Sequence, residues 1–345
     1  MSTANKLIGS VSANKSNIDV YLDTAAELSK LDRKNHLQVA EDGKPLVYDL
    51  LVTVSTPSTA DITAPDKQLL ASGTVSTAPN NWQTRNAVRM AHFTRQDLRR
   101  EAGVSKGAIG KYAKSVRMNL DNNMFDISYS PQSAIPAPSA RYQRLYAFSD
   151  VSSTPSYSAT TAKFKGGVWD YSQLAQVETD DANAVTDYYL TVLGNHVGTP
   201  SAGYTTVSCI QAYNERRQTT RDDSTVNAGG DTQFIDNDSP FFRVPQQDAS
   251  EDSYVEITLD EQDNPPYDRT IAGDALKAQP QEYFQLSAQS SQVSFRIQAP
   301  LGLVKFEFTD LYGTGWVEEP NSPESLWTIV QDLFVEVECL GTYEM

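Results

Sequence analysis

Along much of the chain apolar and polar residues alternate with the two-residue period of a strand that has one wet face. The clearest runs are Leu46–Thr56, Gln68–Ser76, Val116–Ser128, Tyr142–Phe148 and Val185–Leu193. Thr205–Tyr213, Tyr254–Leu259, Gln292–Ile297, Leu303–Phe308 and Leu333–Cys339 continue the series. Within them Val293, Phe295 and Ile297, or Val335, Val337 and Cys339, mark one face of a pleated sheet. The runs are separated by Ser/Thr/Pro/Gly/Asp-rich loops such as PSTADITAPD, PQSAIPAPSA, SSTPSYSATT and DEQDNPPYDR. Many short strands joined by turn-forming clusters predict a mainly β fold of antiparallel sandwiches.

Three stretches break the period. From 81 to 102 the chain has neither Gly nor Pro, and Ala87, Ala91, Leu98 and Ala102 recur at helical spacing. Met90 and Phe93 widen that stripe, and Gly103 follows as a C-terminal stop. The stretch Ser322–Gln331 reads as a short helix, with Ser322 as N-cap, Pro323 in the first turn and Glu324 at the positive end. Thr24–Leu31 is a third candidate. Each half of the chain then holds several strands and a helix. The Ser/Thr-rich loop 151–162 suggests a division into one domain at 1–162 and another at 163–345.

Composition agrees with sheets. At 345 residues and 39% hydrophobic content the chain can build two cores of ordinary size, and Tyr (17) and Phe (12) far outnumber Met (5). Two cysteines, Cys209 and Cys339, lie in strand-like runs and suit buried free thiols better than a disulfide framework. The N-terminal MSTANKLIGSVSANKSNIDV lacks the apolar core of a signal peptide, and no run of about 18 apolar residues offers a membrane span. These features predict a protein made and folded in the cytoplasm.

Candidate chemistry is sparse. His36, His92 and His196 are scattered, and no nucleophile elbow, zinc-protease, P-loop or dinucleotide pattern occurs. With 44 acidic residues, chance carboxylate pairs occur everywhere and identify no glycosidase pair. The expectation is a protein that is not an enzyme and carries no cofactor. The nearest approach to a metal site is hard oxygen ligands in the loops Asp236–Ser239 and Asp260–Asp263. A structural calcium ion could sit near Asp236 and Asp238.

Charge is more informative than any motif. The total is −16. Between Asn81 and Arg117, however, stand Arg85, Arg89, Arg95, Arg99, Arg100, Lys106, Lys111, Lys114 and Arg117. Opposed only by Asp97 and Glu101, they give that segment +7 and leave −23 for the rest. From Asp231 to the end, 22 acids face five bases. A cationic segment on an anionic body suggests a face for a polyanion, a lipid headgroup layer or a neighbouring subunit. The alternative is a surface helix paired with acidic loops of its own chain. Aromatic residues are poorly interleaved with the cations, so no sequence-specific nucleic-acid binding is expected.

With several strands, the 81–102 helix, further strands, a helix near 322–331 and a last strand at Leu333–Cys339, the order of elements resembles the double jelly-roll major capsid proteins of tailless, often membrane-containing viruses of bacteria and archaea. That resemblance implies two jelly-roll domains, each with an inserted helix, in a coat subunit that forms homotrimers and then a virion shell. Its partners would be other copies, minor capsid proteins and an underlying membrane. A second expectation is a non-catalytic carbohydrate-binding or adhesin-like β-sandwich protein, with Trp82, Trp169, Trp316 and Tyr267 as stacking residues.

Overall fold

The computed structural model describes residues 5–12, 18–32, 34–55, 69–110, 114–124, 142–144, 174–177, 185–199, 204–216, 277–287, 290–311 and 332–345. The chain opens with β1 (Lys6–Ser12), β2 (Ile18–Asp23), α1 (Thr24–Asp32), β3 (Leu46–Ser55) and β4 (Leu69–Thr77). Next come α2 (Trp82–Glu101), a 3-10 turn (Lys106–Ala108), β5 (Tyr142–Arg144), β6 (Leu174–Val177) and β7 (Val185–Thr191). They are followed by β8 (Val197–Thr199), β9 (Tyr204–Ser208) and α3 (Cys209–Arg216). β10 (Gln279–Ser287), β11 (Gln292–Pro300), β12 (Leu303–Leu311) and β13 (Asp332–Glu344) complete the described elements.

These strands form three open sheets, ordered β1-β13-β3-β11, β10-β4-β12-β2-β5 and β6-β7-β9-β8. The first two are knitted from the two ends of the chain. β3 lies antiparallel between β11 and β13, and β12 lies antiparallel between β2 and β4. Strand β3 shows why the first sheet forms: Tyr48, Leu50, Val52 and Val54 alternate inward while Asp49, Leu51, Thr53 and Ser55 turn outward. They meet Phe284, Leu286, Val304, Phe306 and Phe308 from the second sheet in one apolar core. Phe284 ties the sheets together, stacking on Phe295 of β11 at 6.0 Å and meeting Phe308 edge-on at 5.6 Å.

A second core lies on the other side of the β2–β12 sheet. Tyr21 and Leu303 join Ala87, Val88 and Ala91 of α2, Leu190 and Val207 of the third sheet, and Ile210 of α3. Helix α2, the third sheet and α3 therefore pack as an added lobe over the outer face of the second sheet, while β5 joins the edge of that sheet. Where the two cores approach each other, the chain turns through Leu301 (φ 62) and Gly302 (φ 70). A Cβ on Gly302 would meet Tyr48 Cδ2 at 3.0 Å and Thr24 Cβ at 3.2 Å, so glycine serves both the dihedral and the close approach. Leu301 accepts its unfavourable φ while wholly buried in the second core.

Local signals explain the helices. Asn81 caps α2, its side chain accepting from the Thr84 N–H at 2.9 Å, and Gly103 (φ 73) ends it. Helix α1 matches the expected Thr24–Leu31 stretch and is capped by Asp23, whose Oδ1 accepts from the Ala26 N–H at 3.0 Å.

The fold departs from the expected mainly β pair of antiparallel sandwich (jelly-roll) domains. It has three open sheets with helices interspersed between their strands, and two of its strand pairings, β2–β5 and β7–β9, are parallel. Instead of each half closing a sandwich of its own, the N-terminal strands pair with the C-terminal ones. The loop 151–162, the 322–331 helix and Tyr254–Leu259 lie outside the described residues. Two runs read as single strands are otherwise. Thr205–Tyr213 is a strand that becomes α3 at Cys209, where Ser208 Oγ accepts from the Gln211 N–H at 3.4 Å. The part of Val116–Ser128 that is described forms no strand, and its bridge to a sheet strand is the isolated one between Asn119 and Thr191.

Candidate functional site

The nine cations of the 81–117 segment do not form one surface. Helix α2 buries Thr84, Ala87, Val88, Ala91, His92 and Arg95 toward the second core. Arg95 stands one turn after Ala91 on that inward side, and its Nη1 donates to the Ser115 carbonyl at 2.8 Å. Arg117 is also buried, and its Nη2 donates to Asn35 Oδ1 at 3.3 Å. These two guanidiniums are internal props. The side chain of Lys106 and all of Lys111 lie outside what is described.

What remains outside is a stripe. Trp82, Arg85, Arg89, Phe93 and Arg100 fall within a narrow arc of α2, being three, four or seven residues apart. Trp82 and Phe93 are about half exposed (53% and 45%), and Trp82 is anchored edge-on against Tyr213 of α3 at 6.4 Å. Arg89 Cζ sits 6.0 Å from the Phe93 ring centroid, and Arg100 pairs with Asp97 one turn back. Arg99 is partly buried and Lys114 is exposed. Phe93, read from the sequence as widening the apolar stripe, thus points to solvent. The helix is held at this angle by α3, with Gln83 Nε2 donating to Asn214 Oδ1 at 2.6 Å and Asn86 Nδ2 to the Tyr213 hydroxyl at 3.2 Å.

A second polar constellation, which sequence reasoning missed, lies at the seam between the second sheet and the added lobe. The Tyr21 hydroxyl donates to Asp121 Oδ2 at 2.9 Å, and the Met124 N–H donates to Asp121 Oδ1 at 2.9 Å. Lys305 lies 3.4 Å from Asp19, pairs with Glu307, and holds its ammonium 5.8 Å from the Tyr21 ring centroid. Thr74 Oγ1 donates to Glu307 at 3.1 Å. Beside them Gln38 bridges Asp23 and the Met118 backbone, accepting from the Met118 N–H at 2.7 Å. Burial, together with the nearby Asp121 charge, pushes the Tyr21 hydroxyl far above the ordinary phenol range, so it donates at every working pH. Burial likewise raises Asp121, against the opposing hydrogen bonds from Met124 and Tyr21 and the Lys305 charge. Desolvation works against the Lys305 ammonium, but the hydrogen bond to Glu307 and the charges of Asp19, Glu307 and Asp121 outweigh it and raise its pKa. The alternation of Asp19, Tyr21 and Asp23 in β2 was a legible signal, since three polar-ended residues share the face opposite Val20 and Leu22.

The histidines are held by local bonds. Gln96 Nε2 and His92 Nε2 lie 2.6 Å apart, His196 Nδ1 accepts from the Ser208 N–H at 3.1 Å, and the His36 N–H donates to Ser29 Oγ at 2.9 Å. Among the described residues no group of three or more His, Cys, Asp or Glu could hold a metal ion. Asp236 and Asp238, expected near a calcium ion, lie outside them, as do Asp260–Asp263. Cys209 and Cys339 are free thiols, and burial raises the Cys209 thiol. No helix among the described residues is long and apolar enough to cross a membrane.

The chain matches no family model, no curated protein and no solved structure. The resemblance to double jelly-roll capsid proteins does not survive the fold. That family needs two closed rolls, whereas the described strands form three open sheets, two of them shared between the chain's ends. The viral coat reading and the adhesin-like or carbohydrate-binding alternative both required closed sandwich domains and fall with that architecture.

Proposed function

We propose that this protein is a non-catalytic subunit that associates with copies of itself. The observation that carries the reading is the outer face of the β1-β13-β3-β11 sheet. There Ile8 (54% exposed) and Phe334 (44%) stand in adjacent rows of neighbouring strands, with half-buried Leu51 one strand further on. Leu340 and Tyr343 extend the apolar surface along β13. A monomer gains nothing by keeping four large apolar side chains on one strand pair in water.

The same face carries both signs of charge. Lys6 pairs with Glu336, and Arg296 pairs with Asp49. Because these charges are neutralised in pairs within the sheet, two copies can bring this face together without setting net like charge against like. At about 4.8 Å between strands and about 3.3 Å per residue, four strands give a face about 19 Å wide and more than about 20 Å long.

Light scattering on the eluting peak of a sizing column tests the reading. Wild-type protein is expected at a multiple of 38.0 kDa, and Phe334→Asp at a lower multiple with unchanged circular dichroism. A mass unaffected by Phe334→Asp and by Ile8→Asp would remove the sheet face from the contact.

A further inference from the structure

We infer that the open edge of strand β1 pairs antiparallel with β1 of a second copy, so that two four-stranded sheets run into one. This contact rests on the self-association proposed above and adds a second surface to it, the edge of the sheet instead of its face.

The backbone groups on offer follow from the ladder. Among the described residues β1 pairs with β13 alone and ends its sheet. The Cys339 N–H donates to the Asn5 carbonyl at 2.8 Å, one step beyond the Lys6–Glu338 pair. Hydrogen-bonded pairs alternate along an antiparallel ladder. Leu7, Gly9 and Val11 therefore turn their N–H and C=O groups to β13, while Lys6, Ile8, Ser10 and Ser12 turn theirs to the open side.

β1 differs from the other sheet edges. Edge strands are ordinarily blunted by brevity, proline, bulges or charge. β5, β6 and β8 have three or four residues each. β10 carries Pro280, Glu282 and two register shifts against β4. β11 carries the exposed Arg296 and ends on Pro300. β1 has seven residues in unbroken register, no proline, and a single charge, Lys6, at one end. Near its middle Ile8 is 54% exposed.

Self-complementarity selects the occupant. A two-fold axis at Gly9 sets Ile8 opposite Ser10 of the second copy and Lys6 opposite Ser12 of the second copy. All four open residues of each strand then meet one another in about eight main-chain bonds, and the axis closes the pair. The two Lys6 positions stand about 20 Å apart at about 3.3 Å per residue. The two Ile8 positions become diagonal neighbours on the apolar face, which the pairing extends from one copy to the next. The chain's excess of acid does not oppose this contact locally. Residues 1–18 hold Lys6 and Lys15 and no Asp or Glu. The acids beside β1 are engaged, Glu336 by Lys6 and Glu338 by the Asn5 amide. More distant charge is screened beyond about 8 Å at physiological ionic strength.

The test is residue-resolved amide hydrogen exchange on the full chain at low and high protein concentration, with sedimentation velocity of wild type, Ser10→Pro and Phe334→Asp. Ser10→Pro removes an N–H that faces the open side, spares the bonds to β13 and leaves Ile8 and Phe334 in place. The Leu7 and Gly9 amides are expected to be protected at every concentration, and the Ile8 and Ser10 amides to gain protection as copies associate. Ser10→Pro should weaken the pairing about 10-fold or more, because each pair loses two main-chain bonds, and should melt as wild type does. An assembly that withstands Ser10→Pro, with Ile8 exchanging freely throughout, overturns the edge contact; its loss in Phe334→Asp would show that the face alone holds it. Ile8 and Ser10 amides protected even in the monomer reveal an edge covered by the chain itself and overturn the second copy. A wild-type monomer at every concentration removes both contacts. Should Ser10→Pro fail to fold, the concentration dependence of the wild-type Ile8 and Ser10 amides decides between these results.

Discussion

The hydroxyl of Tyr21 donates to the carboxylate of Asp121 across 100 residues of chain, joining a strand of the second sheet to the lobe laid over it. Both groups are deeply buried, so the bond stands where an unpaired partner is costly. Tyr21→Phe removes one donor and leaves Asp121 the bond from the Met124 N–H. The expected loss is about 1–3 kcal/mol, read as a lower urea midpoint at constant slope. A midpoint unchanged within error would show that the seam does not depend on this bond.

Asp121 also sets a pH dependence whose sign is opposite to that of a salt-bridged carboxylate. Its folded pKa is raised from 3.8, chiefly by burial, so the folded protein holds the proton more tightly than the unfolded chain. Its cost is absent below the unfolded value and grows as pH rises from about 4 toward the folded value. Asp49, lowered by the hydrogen bond from Arg296, acts the other way. Its contribution is present above 3.8 and is lost as pH falls through the lower folded pKa, and exposure makes it small. Asp121→Asn keeps an oxygen for the Met124 N–H and offers its amide to the Tyr21 oxygen. Relative to wild type, its stability should improve between pH 4 and 7. A constant difference over that range would contradict the assignment.

Lys305 gives the alkaline counterpart. Its folded pKa is raised above 10.5, because its carboxylate partners outweigh desolvation. The stability it contributes is fully present below the unfolded value and is lost as pH rises through the folded one. Lys305→Met should flatten wild-type stability loss above about pH 10 and leave Asp19 without its cation. At neutral pH the variant should be weaker by about 3 kcal/mol or more, as expected when one partner of a buried pair is removed. Denaturant melts at several pH values check both statements.

The turn at Leu301–Gly302 is predicted to be intolerant. Gly302→Ala places a methyl 3.0 Å from the Tyr48 ring and keeps a φ of 70, so both sterics and dihedral oppose it. A loss of about 1–3 kcal/mol is expected in the same melts. Phe306→Ala, which empties a fully buried site between the first two sheets, should cost about 3–5 kcal/mol.

Much of the local structure was legible in the sequence. Asn81 and Gly103 bracket α2, and the alternation in Leu46–Ser55 appears as the alternating burial of β3. Partner choice was not legible. Val52 presents the same pattern to a neighbour twenty residues away as to Val337 or Phe295, with which it is paired, and so two sandwiches were expected where the chain's ends join. The α3 helix was hidden because its first residues, Cys209 and Ile210, extend the apolar run of β9, and only the Ser208 cap marks the change. The cationic segment was legible as a charge count but not as a surface. A sum over residues cannot separate Arg85 from Arg95, although Arg95's spacing from Ala91 and Leu98 places it on the buried side.

Self-association is the claim on which the functional account turns, and sedimentation of the unmodified chain over a wide concentration range tests it most directly. The account predicts species heavier than 38.0 kDa that build up with concentration. A single 38.0 kDa species at every concentration and ionic strength would contradict it.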